Sequence, residues 1–195
     1  GKFMQDSVPL GTGAMAAILS MDEKVVVETC NEISKDQFIV EPANFNSDGQ
    51  IVVAGHAEAV DILIEKLKEK GGRKIIKLPV SAPFHCSLMR PAEIKMGEYL
   101  KNVQIKDLTK PIFSNVTAEK EVLADEVRTN LIKQVSSPVK WTSLIRNMIK
   151  EDVDTFIEVG AGNVLTGLIK KIDKNVKCYN ISKIDDLETL GGFCV

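Results

Sequence analysis

The chain has 195 residues, 44% hydrophobic and 27% charged, so it can bury a substantial core as one domain or two small ones. Its 25 basic and 27 acidic side chains give a formal net charge of −2, which gives no reason to expect a nucleic-acid partner. The sequence has no apolar run long enough to span a bilayer and no signal-peptide pattern at its start, so we expect no membrane association.

Residues 13–79 have the hydrophobic pattern of a β-α-β-β-α-β unit, the order of a ferredoxin-like domain. Each predicted helix has apolar residues at helical spacing, and Ser20 followed by Glu23 predicts a capping box at the start of the first helix. Gly71-Gly72 predicts the end of the second helix. The strands are predicted at 14–19, 38–44, 50–55 and 74–78.

From about residue 80 onwards, strands, glycine turns and helices alternate as in a parallel α/β sheet. In the clearest case, Gly160-Ala161-Gly162 joins a buried strand at 155–159 to a helix. A dinucleotide-binding loop would need a third glycine at position 165, which is Leu165, so a tight strand-to-helix turn is the better interpretation. The other predicted elements are a helix from Pro91, a strand at 111–116, helices at 125–135 and from Trp141, and a last strand at 176–180.

His85 is the leading candidate for a chemical role. It is one of only two histidines, and it lies between a strand-like run and the helix that Pro91 opens. Imidazole exchanges protons near neutral pH, so a histidine in such a place can act as a general base. The alternative is a structural histidine that is held by hydrogen bonds. His56 follows a glycine at a helix entrance, and we expect it to be solvated or to cap that helix.

A nucleophile is harder to find in the sequence. Cys86 adjoins His85, but adjacent side chains usually point apart, so we expect a small buried thiol there. The Gly-x-Ser-x-Gly pattern of a nucleophile elbow does not occur. The four cysteines are widely spaced without a CxxC pair, which predicts no structural zinc site and reduced thiols in the cytoplasm.

Two further features, Gln134 and a run of basic residues, each allow two interpretations. Gln134 is predicted on the same helix face as Val127 and Leu131, so it is either a buried polar group with a specific partner or an interfacial side chain with its amide in water. A run of basic residues is either a solvated helix end or a docking patch for an acidic partner. This basic run comprises Lys66, Lys68, Lys70, Arg73, Lys74 and Lys77.

Several motifs in the same order resemble those of the bacterial malonyl-CoA:acyl-carrier-protein transacylases, over the C-terminal two-thirds of that family. The resemblance implies an α/β-hydrolase-like large subdomain, incomplete here and formed by residues 1–12 and 80–195, with a ferredoxin-like small subdomain inserted at 13–79. The matching segments are 1–5, 44–47, 50–55, 83–89, Gln134 with 138–141, and 156–167.

The resemblance also implies a function, the transfer of a malonyl group from malonyl-CoA to the phosphopantetheine thiol of an acyl carrier protein through a malonyl-serine intermediate. His85 would be the general base and acid, and the backbone carbonyl of Gln134 would accept its Nδ1–H. Phe84 would lie against the acyl group and leave little room for an α-methyl, which favours malonyl over methylmalonyl. The other residues implied to line the acyl pocket or substrate cleft are Met4, Asn44 and Asn46.

The resemblance further implies a monomer that needs no metal or cofactor and binds an acidic carrier protein transiently. Ala161 stands where the family usually has proline. The chain opens on Gly1 without an initiator methionine, and the family's serine, oxyanion glutamine and carboxylate-binding arginine would precede it, so we expect no turnover by this chain alone. A polyketide-type acyltransferase and a non-catalytic ferredoxin-like ligand-binding module are the alternatives.

Overall fold

The computed structural model describes residues 2–9, 11–35, 38–80 and 82–190. The chain folds as two compact units, Gly1–Leu144 and Ile145–Val195. The first unit contains, in chain order, α1 (Lys2–Gln5), β1 (Gly13–Leu19), α2 (Glu23–Ile33), β2 (Val40–Ser47), β3 (Gln50–His56), α3 (Ala57–Glu69), β4 (Lys74–Lys77), α4 (Arg90–Leu100), β5 (Ile112–Phe113), β6 (Lys120–Glu121) and α5 (Ala124–Lys133). Helix α6 (Trp141–Lys150) crosses the boundary, and β7 (Thr155–Val159), α7 (Val164–Ile172) and β8 (Lys177–Ile181) belong to the second unit.

The first four strands form an antiparallel sheet in the order β2-β3-β1-β4. Strand β1 is central, pairing with β3 from Gly13↔His56 to Leu19↔Gln50 and with β4 at its other edge. Strands β2 and β3 are joined by a two-residue turn, at Asp48 and Gly49, which suits a hairpin. The β-α-β-β-α-β element order is therefore the one that the hydrophobic pattern predicted.

The two faces of this sheet bury different parts of the chain, because successive side chains of a strand point to opposite faces. Ala16 and Ile18 of β1 pack against helices α2 and α3 in one core cluster. Met15 and Ala17 face the other way, into a cluster that also holds Phe84, Cys86 and Leu88. The second face thus forms the floor beneath the segment that carries His85.

The predicted capping box at Ser20 is wrong. Ser20 adopts a left-handed conformation with φ of 60°, and its N–H donates to the carbonyl of Gly49 at 2.6 Å. Helix α2 is instead capped by Asp22, whose carboxylate accepts the N–H of Lys24 at 2.8 Å. Ser20 thus lies in the turn that follows β1, where it is bonded to the tip of the β2–β3 hairpin, and the helix begins two residues later than the sequence pattern suggested.

The rest of the first unit is mostly helical. The strand predicted at 111–116 shrinks to β5, which pairs antiparallel with β6 through a tight turn that includes Ala118 at φ of 62°. Helix α4 follows a short 3₁₀ helix at Ser87–Met89 and has proline in its first turn, as Pro91 predicted. Arg128 of α5 donates hydrogen bonds to backbone carbonyls at the end of α4, which fastens the two helices together.

In the second unit β7 and β8 pair in parallel, with α7 between them in sequence, as the strand–turn–helix–strand pattern predicted. Gly160 and Gly162 both have positive φ in the connecting turn. Glu158 at the end of β7 accepts hydrogen bonds from the backbone N–H groups of Thr166 and Leu165, which hold the pKa of its carboxyl below the ordinary value. The glycine turn is thus a structural connection between β7 and α7.

A helix that crosses a bilayer must be both long and apolar, with about 20 residues in the membrane. Among the residues that the structure describes, no helix combines that length with that apolar character.

Replacing Gly55 with alanine should destabilise the sheet strongly. A Cβ there would lie 2.1 Å from the carbonyl oxygen of Ile39 and 2.6 Å from Cα of Val40, so the backbone of β2 would have to move. We expect Gly55→Ala to lower the free energy of unfolding in urea by about 1–3 kcal/mol, the range typical of overpacking.

The matched control is Gly97→Ala in α4, where a Cβ would meet only side-chain carbons of Ile132 at 3.7 Å and beyond. Alanine in a helix is favoured over glycine by about 0.5–1 kcal/mol, so this variant should be at least as stable as the wild type. Equal effects of the two substitutions would contradict the close approach of β2 to Gly55.

Candidate active site

After the edge strand β4, the chain turns and packs against the face of the sheet that α2 and α3 do not cover. Ala82 and Pro83 are buried, and Cys86 packs into the floor cluster with Met15 and Ala43. The Cys86 thiol donates to the carbonyl of Pro83 at 3.1 Å, which closes the turn on itself. His85 therefore projects from a segment that is fixed on both sides by buried neighbours.

His85 has a specific partner on a different element. Its Nδ1 lies 2.9 Å from the backbone carbonyl oxygen of Gln134, 49 residues further along the chain. A carbonyl oxygen can only accept, so Nδ1 carries the proton and donates it. In a neutral ring this leaves the Nε2 lone pair free to take a proton, which is the arrangement of a general base.

The acceptor comes from the end of a helix. Gln134 follows the last residue of α5, so its carbonyl is one of those that a helix terminus leaves without an intrahelical partner. Carbonyls at a helix C-terminus carry partial negative charge, which favours a cation nearby. The same carbonyl that fixes the tautomer thus also presents its partial negative charge to the ring of His85.

The backbone of His85 is strained. Its φ is 60°, in the left-handed region that residues with a Cβ occupy at a cost of about 1–2 kcal/mol. Such conformations persist only where the surroundings impose them, and they cluster at functional sites. The turn thus directs the imidazole towards Gln134 against the local preference of the chain.

Of the residues proposed to surround the substrate, two lie beside this pair. Phe84 and Met4 both pack as half-buried side chains on a cluster of Met89, Ala92 and Val135, and Val135 is the neighbour of Gln134. The structure thus brings Phe84 and Met4 onto one apolar surface next to the His85–Gln134 contact.

The other two lie on β2. Asn44 forms a parallel bridge with Val139, and the backbones around it are joined by Phe45 N–H to Val139 O at 2.9 Å and Val139 N–H to Ala43 O at 2.8 Å. Asn44 and Asn46 are half-buried, near irregularities in the β2–β3 register. This pairing brings β2 against the segment that follows Gln134.

The structure supports neither His56 as a base nor Cys86 as a nucleophile. His56 accepts the N–H of Ile39 through Nδ1 at 3.0 Å and stacks on the ring of Phe38, which is a structural role. It occupies the N-cap position of α3, but its side chain makes no capping bond. Burial raises the pKa of the Cys86 thiol to about 12, which keeps it protonated and poorly nucleophilic.

The environment of Gln134 differs in part from the prediction. Val127 is buried as expected, but Leu131 is 38% exposed, so the stripe that we predicted on α5 is not continuous. The Gln134 side chain has a partner, because its amide oxygen accepts from the side chain of Asn115 at 3.4 Å. The backbone carbonyl, rather than the side chain, is what reaches His85.

Glu41 is the residue near the site that sequence reasoning missed. Its carboxylate accepts the backbone N–H of Ser87 at 2.7 Å and the Ser87 hydroxyl at 2.9 Å, across 46 residues of sequence. Nothing local marks Glu41, since it is an ordinary polar position in a strand. Among the described residues, no group of three or more His, Cys, Asp or Glu side chains could hold a metal ion.

An α/β protein that presents a histidine with its proton fixed on Nδ1 has the equipment for acid–base chemistry. The model of the family described as "Acyl transferase domain" matches residues 1–188. The chain therefore belongs to the acyl transferase domain family.

Proteins and structures similar to this chain share the name malonyl CoA-acyl carrier protein transacylase. The malonyl CoA-acyl carrier protein transacylase of Staphylococcus aureus (strain COL) is 41% identical over 188 residues, which cover 96% of this chain and 61% of that protein. The crystal structure of the malonyl CoA-acyl carrier protein transacylase from Clostridium perfringens ATCC 13124 matches with a TM-score of 0.92 and 44% identity, over 98% of this chain and 60% of that one. The chain thus spans about three fifths of the length of these relatives.

A third similar structure contains a partner. It is a complex of a type II PKS acyl-carrier protein with its malonyl-transacylase, and it matches with a TM-score of 0.92 and 36% identity, over 96% of this chain and 60% of that one.

The cysteines offer a direct test of the site's chemistry. With a pKa of about 12, only about one Cys86 thiol in ten thousand is ionised at about pH 8, and the thiolate is the reactive form. Cys30 is buried with a similarly raised pKa, whereas Cys178 is partly exposed.

We expect iodoacetamide to modify Cys178 well before Cys30 or Cys86 in the folded protein, as followed by peptide mass spectrometry. Denatured protein, in which all three should react alike, is the control. Alkylation of Cys86 as fast as Cys178 would show that it is an accessible thiolate.

Proposed function

We propose that the protein containing this chain transfers a malonyl group from malonyl-CoA to the phosphopantetheine thiol of an acyl carrier protein, in fatty acid biosynthesis. The observation that carries the proposal is the hydrogen bond between Nδ1 of His85 and the carbonyl of Gln134, in a chain whose relatives bear the name of this activity. The nucleophile is a serine outside these 195 residues, as the family resemblance implies.

In the first half-reaction His85 acts as base. Nε2 takes the serine proton as the serine oxygen attacks the thioester carbonyl, and the imidazolium keeps its Nδ1–H on Gln134. The tetrahedral intermediate collapses, the carbon–sulfur bond breaks, and His85 returns the proton to the CoA sulfur. In the second half-reaction His85 takes the pantetheine thiol proton and returns it to the serine oxygen as the malonyl group moves to sulfur.

The acyl group lies against Phe84 and Met4 in this proposal. Both side chains are half-buried on one apolar surface beside the His85–Gln134 pair, which supports a pocket for a short acyl chain there. Phe84 limits the room at the α-carbon and so favours malonyl. Asn44 and Asn46 line the cleft from β2, where polar side chains could hydrogen-bond the substrate.

We also propose that residues 13–79 form a ferredoxin-like small subdomain, with 1–12 and 80–195 as part of an α/β-hydrolase-like large one. The β2-β3-β1-β4 order, with both helices on one face, supports the small subdomain.

The proposed reaction exchanges oxygen and sulfur esters without electron transfer, so it needs no cofactor. One chain supplies both His85 and its partner, which is consistent with a monomer, and the widely spaced cysteines without a CxxC pair support a cytoplasmic location.

The carrier protein is acidic and binds transiently at the basic run in this proposal. Most of these cations are already paired, with contacts such as Lys70–Glu32 at 3.1 Å and Lys77–Asp61 at 2.6 Å. Among the described residues, Arg73 and Lys74 are exposed and have no ion-pair partner. These two residues are therefore the part of the run with charge to offer an acidic partner.

The same chemistry in polyketide synthesis is the second candidate. It is favoured by the similar transacylase found in complex with a type II PKS acyl-carrier protein. Wide tolerance of α-substituted acyl-CoAs would favour this candidate over the malonyl-specific one. A non-catalytic ligand-binding module is disfavoured by the strained histidine, because such a module has no use for a fixed tautomer.

Removing the base should abolish most of the transfer. In the full-length gene product, we expect His85→Ala to slow malonyl-enzyme formation by about 10²–10⁴-fold, the range for loss of a general base. The measurement is intact mass after brief mixing with malonyl-CoA, in which the wild type gains about 86 Da as a covalent acyl-enzyme.

His56→Ala is the matched control, because the contacts of the His56 ring within the described part of the chain are with Ile39 and Phe38, at the start of β2. That variant should lose some stability but keep the rate. Unchanged acylation in His85→Ala would remove His85 from the mechanism and favour the ligand-binding module.

Reversing the charges of Arg73 and Lys74 should weaken the binding of the carrier protein without affecting the reaction with malonyl-CoA. We expect Arg73→Glu with Lys74→Glu to raise the KM for an acidic carrier protein about 10-fold or more at low salt, with less effect as salt screens the charges. Malonyl-enzyme formation from malonyl-CoA should not change, since neither residue touches the site.

The control is Lys24→Glu with Lys106→Glu, two exposed charge reversals outside the basic run that change the net charge by the same amount. If this control raised the KM as much as the variant at Arg73 and Lys74, the effect would come from net charge, and the basic run would be a solvated helix end.

A further inference from the structure

The His85 turn is tied to the sheet by one carboxylate. Glu41 of β2 accepts both the backbone N–H and the hydroxyl of Ser87, at 2.7 and 2.9 Å. Ser87 is two residues beyond His85 and is the first residue of the 3₁₀ helix that leads into α4. A two-point contact fixes orientation as well as distance, so it restrains the backbone immediately after the imidazole.

The turn that carries the acceptor has a similar contact, made by a hydroxyl alone. The hydroxyl of Ser136 donates to the carboxylate of Glu93 on α4. Ser136 is two residues beyond Gln134, the same spacing as Ser87 from His85. Each half of the His85–Gln134 contact is therefore followed, at the second residue, by a serine that is bound to a glutamate.

The two serine–glutamate contacts lie in one cleft. Glu41, Ser87, Glu93 and Ser136 all line the same open cleft of about 710 Å³, and Glu93 stands in the first turn of the helix that Ser87 leads into. Helix α4 therefore connects the two contacts, because Ser87 lies just before it and Glu93 lies within it. This arrangement sets the spacing between the two turns as well as the shape of each.

We propose that Glu41 is a positioning residue for His85, acting through Ser87, and that the Ser136–Glu93 contact does the same for the Gln134 carbonyl. The inference rests on the proposed function, in which His85 is the base. A left-handed residue stays in place only where its surroundings impose the conformation, and β2 supplies that restraint here. Displacement of a catalytic group by about 1 Å can cost 10²-fold in rate, so such ties matter.

The first test is the rate of malonyl-enzyme formation by the full-length protein. We expect Glu41→Ala to lower the rate constant at saturating malonyl-CoA by about 10- to 100-fold, with a smaller change in KM. Glu41→Gln should recover most of the rate, since its amide oxygen can still accept the Ser87 N–H. Glu93→Ala should show a loss of the same kind.

A double-mutant cycle separates positioning from a general structural role. If Glu41 acts through His85, adding Glu41→Ala to His85→Ala should lower the residual rate no further. An additional loss in that background as large as in the wild type would overturn the inference. Asp22→Ala, which removes a carboxylate–backbone bond at the start of α2, is the control and should keep the rate.

The second readout does not depend on activity. Long-range ¹⁵N–¹H NMR of histidine-labelled protein reports which ring nitrogen carries the proton, with His85 assigned by its loss in His85→Ala. We expect the Nδ1–H form in the wild type and a mixture of tautomers in Glu41→Ala. If Glu41→Ala unfolds the protein, Ser87→Ala, which removes the hydroxyl half of the contact, takes its place as the variant expected to show the mixture of tautomers.

The outcomes are distinguishable. A wild type that forms no malonyl-enzyme would overturn the proposed function, and the NMR comparison would still decide the positioning role. An active wild type with an unchanged tautomer and rate in Glu41→Ala would overturn the inference alone. A shifted tautomer together with a lower rate, restored by Glu41→Gln, would support it.

Discussion

The contact on which the site depends is a single hydrogen bond, from Nδ1–H of His85 to the carbonyl oxygen of Gln134. It needs no carboxylate partner, because a helix terminus supplies an acceptor that is already short of a donor. A backbone acceptor cannot ionise, so it orients the ring without adding a full charge beside it. The price is that two segments far apart in sequence must be held in register, and much of the first unit serves that requirement.

The antiparallel sheet meets the requirement through its two faces. One face is sealed by α2 and α3, which gives the sheet its stability independently of the site. The other face is free to receive the segment from Pro83 to Leu88, and β2 also pairs with the stretch around Val139 that follows Gln134. The same strand thus contacts both segments, and it is the element common to the two halves of the site.

The elements with regular periodicity could be predicted from the sequence, and particular residues show where this stops. The strands and helices of 13–77 follow from alternating and helical spacing of apolar residues, and the parallel β7–β8 pair from its glycine turn. Ser20 misled because its side chain suits a cap, while the hairpin contact with Gly49 decided its conformation. His85 could be singled out because histidine is rare in the chain and stands at a helix entrance. Glu41 could not, since a contact across 46 residues leaves no local pattern.

The left-handed backbone of His85 has a consequence for how this chain can be improved by selection. A residue with a Cβ is held there at a cost that glycine would not carry, so the turn lies away from its stability optimum. A search that ranks substitutions by melting temperature would be drawn to this position and would replace the base that we propose. Under that proposal thermostability and proton transfer compete at one backbone torsion, and only a screen that scores acyl transfer by the full-length protein would keep the imidazole.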